Sequence, residues 1–592
     1  MALCFWVSYW IFRMQALECA NAPEGIPQAW LVWARLTISW CAPRYWLLGV
    51  PYLNLVGDPT MARSPLLRKL LAVSRLVHAT DGEAADYDSA IALQRSRRQA
   101  LKVGVAAGAA TVLSSAPLEA LALTYAPARI AIIGAGLAGM RCAYELNKVG
   151  IPFTVYEANP NRLGGRVWSN RETFAPNITE NGGELIDTVH TNILALAKEL
   201  GLGLDDCAGW AADRGLEEMY FVNGRKYTFA QAFEDFKLMA NQLNQDRAKA
   251  QFPQTWDNLS DRGRELDNMS VREYIARYAP GGLTSDFGRV LDVAYNIEYG
   301  AETDQQGAYG LVALLGYSNT TTSGKSKFYW FGQSDERYRI TGGNDQLISR
   351  MAAQVPANQI KMGHALTKVA RNADGTYALE FAVGNQRIST VADHVVMAIP
   401  FSILRSSVNY AAAGFDARKT RAIQTMPMGN NCKFQLQFNR RVWHDVKGSG
   451  DTFTDQGYQA TWESTRAQPT TTGVINNYTG GNTALAYSNS TDLQGVATAF
   501  LAQFERLFPG VTQAWNGKFI LNNWPKNPYT KGAYGYYAPG NIASFLGYEG
   551  VRQGNCHFCG EHTSIPAQGY LEGAVETGQR CAEEIKNDLK NA

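Results

Sequence analysis

Nowhere does the chain contain the ~18 consecutive uncharged apolar residues that a membrane-spanning helix needs. The longest candidate, 103 to 118, lies between Lys102 and Glu119 and stops short of that length. Charge of one sign is lacking too: 55 Lys and Arg oppose 53 Asp and Glu, and no like-charged block offers nucleic acid a stripe. Cysteine is scarce at nine, which excludes a disulfide scaffold in a chain of 592 residues. Histidine is scarcer at seven and scattered, so Cys556-His557-Phe558-Cys559 has metal-like spacing without a second ligand pair and reads as a buried strand. No metal site is expected. What is present, 46% hydrophobic and 18% charged residues, describes a globular chain long enough for several domains or one large two-lobed unit.

The amino-terminal region carries an address. Ser96-Arg97-Arg98-Gln99-Ala100-Leu101-Lys102 places a twin arginine before the mildly apolar 103 to 118, and Ala120-Leu121-Ala122 supplies a small-x-small cleavage pattern. This order predicts a twin-arginine signal and a periplasmic or secreted protein. Residues 1-60, with no countable helical or strand period, are expected to be a non-native or unstructured extension, with translation starting at Met61 or later and 61-122 forming the leader.

From Arg129 the pattern changes. Ile130-Ala131-Ile132-Ile133 is the unbroken apolar run of a doubly covered parallel strand. Gly134-Ala135-Gly136-Leu137-Ala138-Gly139 follows, then helical periodicity from Met140 to Leu146, a stop at Gly150, and a second strand ending at Glu157. In such a βαβ unit Gly134 makes the tight turn, Gly136 lets backbone approach a pyrophosphate, Gly139 permits close helix-to-strand contact, and the helix start offers N–H groups to phosphate. Glu157 stands where a carboxylate accepts from ribose hydroxyls. Dinucleotide binding is therefore expected. Further strands are predicted at 366–369, at 377–383 after the Asp374-Gly375 turn, at 394–399 and at 431–438, with helices at 193–200, 271–278 and 571–589.

Two more glycine pairs, Gly164-Gly165-Arg166 and Gly182-Gly183-Glu184, lie beyond the second strand. With the βαβ motif and the closing Gly560-Glu561 and Gly569-Tyr570-Leu571-Glu572-Gly573-Ala574, the chain resembles the flavin-containing amine oxidases, the group of monoamine, polyamine and L-amino-acid oxidases, over about 128 to 585. The resemblance implies an α/β fold: a Rossmann-like FAD-binding domain in three parts (123-205, 341-405, 516-592) interleaved with an α+β substrate domain in two (206-340, 406-515). It implies that Gly164, Gly165 and Arg166 lie along the FAD pyrophosphate and ribityl chain, and that Gly182, Gly183 and Glu184 approach the isoalloxazine edge. Val369 would meet the adenine, Glu561 after Gly560 would hold ribityl hydroxyls, and Gly569, Tyr570, Leu571 and Ala574 would point a helix start at the flavin. Ala533 stands where some relatives carry a flavin-bonded cysteine, so FAD is expected to be noncovalent.

The same resemblance assigns Tyr534 and Tyr570 as an aromatic pair flanking the amine, and Lys433 as the lysine that holds a water near the flavin. A lysine within an apolar strand pattern is costly to bury without a partner; the alternative is that Lys433 faces solvent. The implied reaction is oxidation of an amine or L-amino acid by hydride transfer to flavin, with oxygen reduced to hydrogen peroxide. The surroundings of Glu184 and of Arg339 to Asp345 are most similar to bacterial L-amino-acid-oxidase-type members. That makes conversion of an L-amino acid to a 2-oxo acid and ammonia the first expectation, and a primary-amine, polyamine or nicotine-type oxidase the alternative. An α-carboxylate would call for an arginine, with Arg337, Arg339 or one from the second lobe as candidates. A desaturase or porphyrinogen-oxidising flavoenzyme would share the FAD motifs, and a non-catalytic dinucleotide binder the first of them. No membrane anchor is expected, and a homodimer only by analogy.

Overall fold

The computed structural model describes residues 125–316 and 331–590. The expected extension, the twin-arginine leader and its cleavage site lie outside the described residues.

Ile130–Ile133 is buried on both faces, as its unbroken apolar run requires. It pairs in parallel with Thr154–Tyr156 on one side and His394–Met397 on the other. Cys556–Phe558 and Ile360–Lys361 complete a five-stranded parallel sheet at its two edges. One face packs Ile130, Ile132 and Val396 under the helices Leu137–Asn147 and Leu571–Lys590, through Met140, Cys142, Leu146, Cys581 and Ile585. The other packs Ala131, Ile133, Val395 and Met397 under an antiparallel three-stranded sheet, Ala365–Arg371, Tyr377–Val383 and Gln386–Ala392. The sheet is thus doubly covered, and its strands come from three distant stretches of chain.

A second, seven-stranded sheet runs in the order Trp515–Asn523, Asn431–Phe438, Gly473–Gly480, Ala460–Glu463, Gly448–Thr454, Glu217–Val222, Arg225–Tyr227. A helical layer built on Phe229–Ala250, Val271–Tyr278, Asp286–Tyr299 and Ala308–Leu315 shares a core with this lobe. Helix 271–278 starts where a capping box fixes it: Ser270 accepts from the Glu273 N–H while the Glu273 carboxylate accepts from the Ser270 N–H.

The expected division after 515 needs correction, because Trp515–Asn523 pairs with Asn431–Phe438 along its length and so extends the second lobe to Asn523. Asn516-Gly517 looks like a turn and the strand has no clean alternation, which hid it. In Asn431–Phe438, Cys432, Phe434, Leu436 and Phe438 are all fully buried hydrophobics. The alternate side chains bond to the 169–184 segment of the first lobe: Gln435 donates to the Glu180 carbonyl (3.1 Å) and Gln437 to the Phe174 carbonyl (2.7 Å). Both faces of this strand are interior.

Candidate active site

A cavity of about 800 Å³ lies where the carboxyl ends of the parallel strands meet the seven-stranded sheet, the usual place for ligands in such folds. Its first half is walled by backbone. Gly134, Gly136, Leu137 and Ala138 line it from the first strand-to-helix turn, Gly164 and Gly165 from the next loop, and Gly182 and Gly183 from the one after. Gly134 has a φ of 102° and a Cβ there would lie 2.9 Å from the Ala398 carbonyl oxygen, so only glycine makes this turn. A Cβ on Gly182 would overlap the Arg166 carbonyl. Gly139 is off the wall; a Cβ on it would overlap the Gly134 carbonyl, which makes it the helix-to-strand contact its spacing predicts. The helix Leu137–Asn147 starts at Gly136, which has no side chain to cap it, leaving its first N–H groups to a ligand.

Glu157 lines the wall while its two oxygens accept from the Ala135 and Asn159 N–H groups, both at 2.8 Å. Arg166 donates to Ala533 O (2.7 Å) and Glu561 Oε1 (2.6 Å), and Glu561 Oε2 accepts from the Gly569 N–H (2.9 Å). These two charges tie together three loops that also present Gly560, Leu571 and Ala574 to the cavity. Val369 requires correction. It is fully buried in the core beneath the three-stranded sheet, and its N–H donates to Asn409 O (3.0 Å). Ala365 and Leu366, a few residues earlier, line the cavity instead; in an apolar strand the spacing of the motif slid along without changing character.

Lys433 does not face solvent. Its ammonium is buried, donates to Glu184 Oε2 (2.7 Å) and Glu180 O (3.2 Å), and sits 5.2 Å from the Trp462 ring. Burial alone would raise the Glu184 carboxyl, but the Lys433 and Arg339 cations outweigh it and hold it below the ordinary value. Glu184 therefore lines the cavity as the counter-ion of Lys433.

Tyr534 and Tyr570 both line the cavity, and their hydroxyls are tethered to neighbouring residues of one helix. Tyr534 donates to Ile297 O (2.9 Å) and Tyr570 to Glu298 Oε1 (3.1 Å). Beyond them the wall is acidic: Asp187, Glu218, Glu298, Glu336 and Asp451 face the cavity, with Arg466 among them. Arg466 is paired with Asp451 (3.0 Å), whereas Glu218, Glu298 and Glu336 have no ion-pair partner among the described residues. Burial pushes Glu298 and Glu336 up to about 8 and Glu218 and Asp187 up to about 7. Glu336 has a φ of 44°, and its N–H donates to Asp187 Oδ1 (2.8 Å), so a left-handed backbone is held in place at the wall. Sequence reasoning missed this group. Asp187 is a lone acid just beyond Gly182-Gly183-Glu184, Glu298 is one acid on an amphipathic helix, and nothing local distinguishes Glu218, Glu336 or Arg466.

Residues 137–586 match the family described as flavin containing amine oxidoreductase. The chain belongs to that family. An L-amino-acid oxidase of Siganus canaliculatus is 24% identical over 484 residues, covering 78% of this chain and 86% of that protein. Among solved structures, a cyclohexylamine oxidase from Brevibacterium oxydans aligns over 78% of this chain and 99% of its own at 22% identity and a TM-score of 0.66. A wild-type putrescine oxidase bound to putrescine aligns over 77% and 98% at 20% identity and a TM-score of 0.64. This flavin amine oxidase is an oxidoreductase acting on small-molecule amines with oxygen, and its cofactor is noncovalent FAD. The site fits that group: the glycine-walled half with its uncapped helix start suits a pyrophosphate, Glu157 and Glu561 offer carboxylates for hydroxyls, and no cysteine stands among the lining residues.

Proposed function

We propose that this amine oxidase acts on an amine bearing a second cationic group, a diamine or polyamine, in preference to an L-amino acid. The observation that carries this reading is the acidic wall: Glu218, Glu298 and Glu336 face the cavity with no ion-pair partner among the described residues, and an incoming ammonium is the group that would balance them. Bound in the glycine-walled half, FAD supplies the acceptor for the hydride lost from the amine-bearing carbon. Tyr534 and Tyr570 give that carbon apolar walls that exclude water, and the tethers to Ile297 and Glu298 fix their rings. Glu298, with its Oε2 free of the bond to Tyr570, takes a proton from the reacting ammonium so that the neutral amine is presented for oxidation. Glu336, Asp187 and Glu218 hold the distal cation. Lys433, paired with Glu184, orients a water at the inner end of the cavity.

A second reading has Arg466 in its favour. Arg337 pairs with Asp206 (2.7 Å), and Arg339 is engaged by Asp205 and the Ser464 and Arg466 carbonyls; neither lines the cavity. Arg466 does, and as an arginine of the second lobe it could receive the α-carboxylate of an L-amino acid, giving a 2-oxo acid, ammonia and hydrogen peroxide. Its pairing with Asp451 and the surrounding acids weigh against that. Peroxide release by the FAD-loaded enzyme from C4–C6 diamines, the matching monoamines and the twenty L-amino acids tests both. The first reading expects kcat/KM for a diamine to exceed that for the matching monoamine by about tenfold or more; keto-acid formation from amino acids with silent diamines would overturn it. Export by the twin-arginine route rests on Arg97-Arg98, the apolar 103 to 118 and Ala120-Leu121-Ala122 in that order and is proposed on that basis, with fractionation of an Arg97→Lys, Arg98→Lys variant as its test.

A further inference from the structure

We propose that His394, His557 and Asp588 bind one divalent cation of the zinc class and thereby clamp the C-terminal helix to the parallel sheet. The three residues come from three remote parts of the chain. His394 opens its strand and His557 is central in the neighbouring edge strand, where Val396 is its register partner; by the two-residue repeat His394, Val396 and His557 share one face. That face is covered by helix Leu571–Lys590, whose last turns carry Glu584 and Asp588, four residues apart on one side.

One donor atom from each of the three, two imidazole nitrogens and a carboxylate oxygen, lies within 4.8 Å of the others. His394 Nδ1 and His557 Nε2 are 3.3 Å apart, and His394 Nδ1 is 3.9 Å from Asp588 Oδ2. Two bonds of 2.0–2.1 Å from zinc to nitrogen, opened to a tetrahedral angle, separate the nitrogens by about 3.3 Å. The outer contacts also suit a metal. His557 Nδ1 donates to Glu584 Oε2 (2.7 Å), which fixes the tautomer that leaves the Nε2 lone pair free, and Glu584 is itself held by Arg580 (2.9 Å). The group opposing a cation is Arg552, bonded to Asp588 (2.6 Å), and its half-exposed side chain can turn to solvent at small cost. Arg552 and Glu584, the outer contacts of the cluster, line a second cavity of about 240 Å³. Two imidazoles and a carboxylate leave one position for water, a donor set that favours zinc over magnesium or calcium. None of the three ligands lines the large cavity, so the site serves stability rather than amine oxidation.

The test uses FAD-loaded enzyme stripped with chelator and titrated with zinc chloride, and in parallel with cobalt(II) chloride for its tetrahedral absorption bands. One equivalent is expected to bind and to raise the unfolding temperature, with peroxide formation unchanged. His557→Ala is expected to abolish binding. Because that residue is fully buried and the variant could fail to fold, Asp588→Asn on the helix surface is expected to lower affinity about 100-fold, and Glu584→Gln about 10-fold to 100-fold, in folded enzyme. Absence of stoichiometric binding, or equal affinity in wild type and Asp588→Asn, would overturn the site and leave His394, His557 and Glu584 as a hydrogen-bonded chain.

Discussion

Against the parallel sheet the cavity is walled by backbone at Gly134, Gly136, Gly164, Gly165, Gly182 and Gly183, whereas against the seven-stranded sheet it is walled by the side chains of Asp187, Glu218, Glu298, Glu336, Asp451 and Arg466. The glycine half suits the cofactor that the family shares, and its geometry tolerates no added atom at several positions. The acidic half is a set of charges from six separated segments, carried by side chains rather than by the turns of the glycine loops. One cavity thus has two kinds of wall, one made of conformation and one of charge.

Breaking the glycine wall should have the largest effect. Gly182→Ala puts a methyl into the Arg166 carbonyl, where the displacement costs about 1–3 kcal/mol or more, and the purified protein is expected to carry almost no FAD by absorbance. A variant that stays fully yellow would show that the loops yield. Next comes the ion pair at the boundary between the halves. Lys433→Met leaves Glu184 buried without its salt-bridge partner, at about 3–5 kcal/mol in denaturant unfolding, and adding Glu184→Gln should recover much of the loss. Equal destabilisation in the single and double variants would deny the coupling.

The acidic wall offers a smaller and more selective effect. Glu298→Gln and Glu336→Gln together should lower kcat/KM for a diamine about 10–100-fold while changing that for the matching monoamine far less from the Glu336 side, so Glu336→Gln alone gives the cleaner contrast. The same carboxyls set opposite pH trends. Their folded values lie near 8, above the ordinary 4.5, so each contributes stability that is complete below about 4.5 and lost as pH rises through about 8. Attraction for a distal ammonium needs the ionised form and grows over the same range. Between pH 5 and 8, kcat/KM for a diamine should rise while the unfolding temperature of wild type falls relative to that of Glu336→Gln; parallel trends would sink the assignment. The smallest functional effect is expected at Val369→Ala, which removes buried methyls at about 2 kcal/mol of stability and leaves the FAD content unchanged.

The glycine half was legible because conformation is written locally: a turn that needs a left-handed residue or a backbone that must be approached closely shows itself as glycine at fixed spacing. Helix Val271–Tyr278 and strands Tyr377–Val383 and Asn431–Phe438 were legible too, because helical periodicity, an Asp-Gly turn and an apolar strand pattern are local signals. Val369 was misplaced because an apolar strand offers several equivalent registers, and the strand at Trp515–Asn523 was hidden by its Asn-Gly. Lys433 was visible as an anomaly, but its partner Glu184 lies 249 residues away and no local pattern joins them.

By itself the sequence determined the βαβ unit and the three glycine loops, since each depends on neighbours within a few positions, and the resemblance carried by those loops gave the expectation of a flavin. Only the tertiary structure decided which carboxylates face the cavity, that Arg466 stands among them, and that His557 meets His394 and Asp588, because charges and ligands act through distances in space that chain separation does not encode.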